Sequence, residues 1–228
     1  MSEPAPLPPA QADPAVQAGL AAQQAYNTRM AEIQADPGLD DLGRTEATIA
    51  AYEQQTATVQ QLGEDLHNRR VARFEHLRSR IPNGPGVTPG TSPADAAVLN
   101  TAFRTSLEQA RNVGLNERRQ MLDDAIRFGD DTMIRAVLTA AQEKSETGLV
   151  EQWAQATGNS ALIDELRALN EDLSGVGPNR GWVSQALRPP ARPNNEYANL
   201  TALRQRAEEA ARDAAERRRT ATPVYNRY

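Results

Sequence analysis

One long stretch, residues 45–81, constrains the fold of this 228-residue chain more than any other. Its apolar residues recur at steps of three or four, which is the pattern of one buried stripe on a long α-helix. They are Ile49, Tyr52, Val59, Leu62, Leu66, Phe74, Leu77 and Ile81. At about 1.5 Å per residue such a helix is about 55 Å long, longer than a small domain is wide. The stretch therefore predicts an elongated element to which the rest of the chain must adapt.

The composition favours an all-α fold. Hydrophobic residues make up 39% of the chain and aromatic residues only 4%, and the side chains that β-sheets favour are sparse. The chain has no cysteine, which excludes disulfides and thiolate metal sites. The first residues carry no basic segment followed by an apolar run, and no window approaches the roughly 20 apolar residues of a membrane span. We therefore expect a soluble protein that is made in the cytoplasm.

Proline and glycine residues divide the chain into six predicted segments. The proline-rich start reads as an extended arm, and the Pro/Gly-rich stretch 82–93 fits neither a helix nor a regular strand, so it marks the best domain boundary. In chain order we predict an extended Pro-rich arm (1–13), a long helical hairpin (14–81), a Pro/Gly linker (82–93), a domain of short helical hairpins (94–173), a docked loop (174–194), and a C-terminal helix and tail (195–228).

The predicted long hairpin pairs a helix over residues 14–35 with the helix over 45–80. Asp13 and Pro14 form an N-cap signal, and the short connection after residue 35 is usual between antiparallel neighbours. Because the first helix is shorter, its start should lie opposite about residue 66 of the second. Residues 67–80 then project as an overhang whose apolar stripe must be covered, either by the domain after the linker or by another subunit.

The overhang is also rich in arginine, and we predict that it contacts a partner. The apolar residues around Trp182 should dock on a neighbouring surface, and the last helix ends in three consecutive arginines. The predicted partner-contact residues are Arg69, Arg70, Arg73, Phe74, Leu77, Arg78, Arg80, Trp182, Arg217, Arg218 and Arg219.

Four short helices are predicted in the domain after the linker, over residues 117–128, 131–142, 147–157 and 160–173. The first two of these helices match the last two at an offset of 29 residues, with Gly129 aligned to Gly158. Two readings stay open. Either two hairpins arose by duplication and stack as a short α-solenoid, or any two capped hairpins would match to this degree.

The side chains that carry chemistry form no recognisable catalytic, cofactor or metal site. His67 and His76 lie nine residues apart, unlike the i,i+4 spacing of a helical metal pair. Acidic pairs occur at residues 123–124 and 130–131, where Asp130 reads as an N-cap, and no calcium-loop motif is present. The glycine-rich stretches lack the pattern of phosphate loops. We predict a protein that is not an enzyme and takes no small-molecule substrate.

The uneven charge distribution leaves three functional hypotheses. Residues 1–66 are acidic and the overhang is basic, which suits assembly with other protein subunits, an acidic end meeting a basic end. A second hypothesis is a nucleic-acid-associated protein that uses the same arginines. A third is a cytosolic helical adaptor, which makes the same architectural predictions.

Residues 123–138, Asp-Asp-Ala-Ile-Arg-Phe-Gly-Asp-Asp-Thr-Met-Ile-Arg-Ala-Val-Leu, carry a family resemblance. This pattern resembles small all-α structural proteins encoded with the head genes of tailed bacteriophages, in which Ala- and Arg-rich helices also join at a Gly-Asp-Asp turn. The resemblance covers about residues 116–170. It implies a multi-copy virion component located in the head, at the portal or on the capsid, with virion neighbours or further copies as partners.

Overall fold

A computed structural model describes the backbone of residues 4–221 and the side chains of residues 4–219. All regular structure in this range is helical, which confirms the predicted all-α class. The first three residues of the predicted arm and the predicted tail from residue 222 lie outside the described residues. No helix in the described range is long and apolar enough to cross a membrane.

The described helices follow the predicted pattern closely, with differences at their ends. The long helix begins earlier than predicted because Asp40 caps a first turn that contains glycine. Its carboxylate accepts a hydrogen bond from the Gly43 amide (2.7 Å). After a 3-10 turn at Ala10–Ala12, the helices are α1 (Pro14–Ala35), α2 (Asp41–Ser79), α3 (Pro93–Asn112), α4 (Leu115–Phe128), α5 (Asp131–Glu143), α6 (Thr147–Ala156), α7 (Ser160–Leu173), α8 (Arg180–Ala186) and α9 (Asn194–Ala221).

The described chain forms two compact units. The first unit contains residues 4–6 and Arg69–Pro178, and the second contains Leu7–Asn68 and residues 179–221. The division falls inside α2, which contributes its last turns to the first unit and the rest to the second. The predicted linker, residues 82–93, lies within the first unit and is not where the units divide.

In the second unit, α1 runs antiparallel to the first part of α2. The start of α1 contributes Ala15 and Val16 to an apolar cluster with Leu66 of α2. At the other end of α1, the Arg44 guanidinium of α2 donates hydrogen bonds to the carbonyls of Ile33 (2.7 Å) and Gln34 (2.9 Å). Carbonyls in the last turn of a helix have no amide N–H partner within the helix. The guanidinium supplies that partner, and its positive charge suits the negative end of the helix dipole.

The predicted docked loop contains the short helix α8, which completes the apolar cluster of the second unit. Ala186 is fully buried there, and Val183 and Leu187 pack beside it. The main-chain carbonyl of Ala186 lies where a β-carbon on Gly19 would come within 2.6 Å of it. Glycine therefore lets α1 and α8 approach more closely than any other residue would.

In the first unit, α5 is the central helix and packs against α3, α4 and α6. Its fully buried side chains, Ala136, Val137, Leu138, Ala140 and Ala141, form the middle of the core. The turns that follow α4 and α6 each use a glycine in the left-handed region, Gly129 (φ 70°) and Gly158 (φ 72°). The two hairpins thus share a turn geometry, and both readings of the repeat remain open.

The segment predicted as a linker is held against α5. The Gly84 amide donates a hydrogen bond to the Thr139 hydroxyl (3.3 Å), and the Asn83 carbonyl accepts one from Arg135 (3.2 Å). Ile81, just before this segment, is buried. Its prolines and glycines prevent helix formation but do not prevent packing.

Candidate protein-interaction surfaces

In the last turns of α2, where partner contacts were predicted, two arginines pair with carboxylates of α7 in the first unit. The Arg73 guanidinium forms a bidentate pair with the Glu165 carboxylate (2.8 and 2.9 Å) and donates to the Pro4 carbonyl (2.7 Å). Arg70 lies 3.4 Å from the Asp172 carboxylate, with both side chains largely buried. The earlier arginine meets the later carboxylate and the later arginine the earlier one, so α7 runs antiparallel to the end of α2.

The other predicted contact residues of α2 occupy different environments. Leu77 is buried, Phe74 and Arg69 are half-buried, and Arg80 is exposed. Arg78 is exposed and pairs weakly with Glu75 at 3.8 Å. Of the two predicted covers for the overhang, the domain after residue 81 therefore supplies the one seen for Arg70, Arg73 and Leu77.

A groove of about 640 Å³ remains between the end of α2 and the α5–α7 hairpins. Phe74 and Ile81 contribute apolar surface from α2 and the segment after it, and Val150, Ile163 and Leu166 contribute it from α6 and α7. The Arg167–Glu151 ion pair lies on its rim. The lining of the groove thus combines apolar side chains with charges of both signs.

Neither the histidines nor the acidic pairs form a metal site. His67 is exposed and His76 is half-buried. Asp130 caps α5 by accepting a hydrogen bond from the Met133 amide (3.0 Å), and Asp131 pairs with Arg135. Within the described part of the chain, no three His, Asp or Glu side chains group closely enough to hold a metal ion.

One ion pair, Arg118 with Glu146, was not predicted from the sequence. Arg118 is only 3% exposed, and its guanidinium donates to both Glu146 carboxylate oxygens (2.9 and 2.6 Å) and to the Ala110 carbonyl (2.9 Å). Hydrogen bonding to Arg118 lowers the pKa of Glu146. A signal was present, because Arg118 precedes Leu122 and Ala125 on the apolar stripe of α4.

The first part of α9 packs antiparallel along α2 in the second unit. The Tyr197 hydroxyl donates to the Glu53 carboxylate (2.8 Å), its ring meets the Tyr52 ring edge-on (centroids 6.3 Å apart), and Arg204 pairs with Glu46 (2.9 Å). The hydrogen bond to Glu53 raises the pKa of Tyr197. Arg206 and Asp41, the first residue of α2, line the same small pocket, and α9 continues from there to Ala221.

The exposed end of α9, residues 207–219, is a helix whose residues are exposed at every position. One of its sides carries Ala207, Ala210 and Ala214, which continue the three- and four-residue spacing of Leu200 and Leu203. The predicted contact residues Arg217, Arg218 and Arg219 lie at its end and are exposed. Trp182, the remaining predicted contact residue, is 41% exposed on α8 and outside the apolar cluster.

Comparison with protein-family models, with curated proteins and with solved structures found no match.

Proposed function

We propose that this chain is a non-enzymatic structural protein of a multi-copy assembly, and that it binds neighbouring copies through the exposed end of α9. The observation that carries the proposal is the exposure of every residue of α9 from 207 to 219. A single helix of this length is marginal in water, because most helical stability in proteins comes from packing. A second helix would supply that packing.

The side chains at the exposed end of α9 favour a partner that is itself a helix. Leu200, Leu203, Ala207, Ala210 and Ala214 alternate steps of three and four, the spacing of a coiled-coil seam. Alanine at the seam lets two helices approach closely, and the residues beside it are charged. The same pattern is common to solvated alanine-rich helices, so the charge distribution is needed to select a partner.

The charges along the exposed end of α9 favour a second copy in antiparallel orientation. Glu208 and Glu209 lie near its start, and Arg217, Arg218 and Arg219 lie at its end. In an antiparallel pair, the acidic start of each helix lies opposite the basic end of the other. A parallel pair would place like charges together at both ends.

The setting we propose is the virion of a tailed bacteriophage, as a head, portal or capsid-associated component. Its support is the resemblance of residues 123–138 to head-gene structural proteins. The nucleic-acid hypothesis used Arg69, Arg70, Arg73, Arg78 and Arg80, of which Arg70 and Arg73 are paired with α7 carboxylates. No observation favours that hypothesis over protein assembly.

Analytical ultracentrifugation of the full chain at micromolar concentrations tests the self-association. We expect the wild type to associate reversibly and the double variant Ala210→Asp/Ala214→Asp to be monomeric. Ala215→Asp, which adds a charge on another side of the same exposed helix, is the matched control and should associate like the wild type. A second measurement adds purified tailed-phage capsids or portal rings. A wild type that stays monomeric and binds neither particle contradicts the proposal.

A further inference from the structure

A multi-copy assembly that pairs through α9 needs a second contact between copies. The antiparallel α9 pair is a two-fold contact, in which both copies use the same surface, and such a contact is complete with two copies. Growth beyond a dimer requires one surface of a copy to meet a different surface of the next copy. The first unit carries two surfaces of this kind.

The first surface is the tip of the α4–α5 hairpin, where Phe128 is exposed. Phe128 is 79% exposed, the largest value among the exposed large apolar side chains of the described residues. It is the last residue of α4, and Gly129 (φ 70°) turns the chain directly after it. Residues 123–131 contain four aspartates and one arginine, so the tip carries a net negative charge. The tip is thus an aromatic side chain surrounded by acidic residues.

The second surface is the groove of about 640 Å³ between the end of α2 and the α5–α7 hairpins, which is wide enough to admit a phenyl ring. The carboxylates that line the groove are each paired with an arginine, Glu146 with Arg118 and Glu151 with Arg167. Arg78 also lines the groove and is exposed, 3.8 Å from the Glu75 carboxylate outside it. Arg78 therefore gives this apolar groove a positive charge, opposite in sign to the hairpin tip.

The hairpin tip and the groove lie at opposite ends of α5. Phe128 comes just before the first residue of α5, Asp131, whereas Ala141 and Gln142 in the last turn of α5 line the groove. The rise along the helix from Asp131 to Ala141 is about 15 Å. Phe128 is therefore held away from the groove of its own copy, and only another copy can bring the two surfaces together.

We infer, on the basis of the proposed multi-copy assembly, that Phe128 of one copy inserts head to tail into the groove of the next. The ring packs against the apolar wall, and the aspartates of the tip lie beside Arg78. One phenylalanine buries only about 150–250 Å², against about 1,200 Å² or more in a stable interface. The contact is therefore weak between single copies, and it becomes populated when an α9 pair presents two such contacts at once.

Sedimentation velocity of the full chain at several hundred micromolar tests the role of Phe128. We expect the wild type to form species larger than a dimer and Phe128→Ser to stop at the dimer. Val98→Ser is the matched control, because it removes another exposed apolar side chain (67% exposed) from the same unit. It should assemble like the wild type.

Asn170→Trp tests the groove, because Asn170 is an exposed residue of α7 that lines it, and a large ring there fills the space. This variant should also stop at the dimer. Ala168→Trp, at an exposed position of the same helix outside the lining, should assemble like the wild type. Melting curves of dilute samples identify a variant that does not fold, and Gln142→Trp then replaces Asn170→Trp.

Mixing the two arrested variants tests the head-to-tail pairing itself. Phe128→Ser keeps an intact groove and Asn170→Trp keeps an intact Phe128, so dimers of one variant should bind dimers of the other and grow beyond the dimer. Mixing would not restore a contact that pairs like surfaces.

The inference is overturned if the wild type stops at the dimer, if Phe128→Ser assembles like the wild type, or if the mixture remains dimeric. Each of these results leaves the α9 pair standing. A wild type that remains monomeric contradicts both contacts, whereas an Ala210→Asp/Ala214→Asp variant that assembles like the wild type contradicts the α9 pair alone.

Discussion

Individual arginines hold the first unit together by joining segments that are distant in sequence. Arg118 links the end of α3 to the start of α6, and Arg73 links α2 to α7 and to the extended arm. Each guanidinium meets a carboxylate with two parallel hydrogen bonds and uses a remaining N–H on a main-chain carbonyl. Lysine has a single ammonium point charge and cannot reproduce this planar geometry.

Replacing Arg118 with methionine should strongly destabilise the protein. The variant leaves the half-buried Glu146 carboxylate without its cation and the Ala110 carbonyl without its donor, which should cost about 1–3 kcal/mol. Urea denaturation followed by circular dichroism measures the change in free energy of unfolding. Arg119→Met, at the exposed neighbouring position, should change it by less than about 0.5 kcal/mol. Equal effects of the two substitutions would contradict the role assigned to Arg118.

The Arg118–Glu146 pair also predicts how stability depends on pH. Arg118 lowers the pKa of Glu146 in the folded protein, so the pair's contribution is fully present above the ordinary glutamate pKa of about 4.3. That contribution is lost as the pH falls through the lower folded-state pKa. The stability difference between the wild type and Glu146→Gln should therefore be large at pH 7 and shrink below pH 4. Glu117→Gln, which removes an exposed carboxylate from α4, serves as the control, and a Glu146→Gln difference that grows in acid would contradict the assignment.

At the scale of elements, close approach between helices depends on a few small residues. The stripes of α1 and α2 correctly indicated their buried faces, and residue 66 of α2 lies beside the start of α1. The contact of α1 with α8 was not visible in either helix alone. It depends on Gly19, which a sequence pattern records only as a weak position in a helix.

Two glycine-to-alanine substitutions in the second unit should have opposite effects. Gly19→Ala places a β-carbon 2.6 Å from the Ala186 carbonyl oxygen and should lower the free energy of unfolding by about 1–3 kcal/mol. Gly63→Ala, inside α2, meets its nearest neighbour, Leu187, at an ordinary 3.9 Å and should raise it by up to about 1 kcal/mol through helix propensity. Thermal and urea denaturation of both variants measures the sign. A stabilising Gly19→Ala would mean that α1 and α8 do not make this contact.

At the scale of the whole molecule, the two units divide within a helix, not at the proline- and glycine-rich segment 82–93. Helix-breaking residues in a sequence mark where helices must stop, and they did so correctly after residues 35, 79 and 112. Unit membership depends instead on which distant side chains meet. Residues 82–93 are rich in helix-breaking residues, yet their main chain is held by Arg135 and Thr139 of α5.

Truncation after Arg206 should separate folding from assembly. Residues 207–219 are exposed at every position, so their removal should leave the melting temperature of a dilute sample nearly unchanged. The helical circular dichroism signal should fall by about the share of the deleted helix, and the concentration-dependent association proposed above should disappear. Calorimetry at two protein concentrations makes the comparison. A large drop in the melting temperature of the truncated protein in a dilute sample would show that the exposed end of α9 stabilises the fold itself.

The sequence by itself determined the all-α class and the position of nearly every helix. Those features follow from local periodicity, capping side chains and helix-breaking residues, all of which act within a few positions of the chain. Tertiary structure alone decided that α7 pairs with Arg70 and Arg73 of α2, that Arg118 is buried, and that residues 207–219 of α9 are exposed. Each of these outcomes depends on contacts between residues far apart in sequence, and periodicity shows only that a side chain needs a partner, not which one it finds.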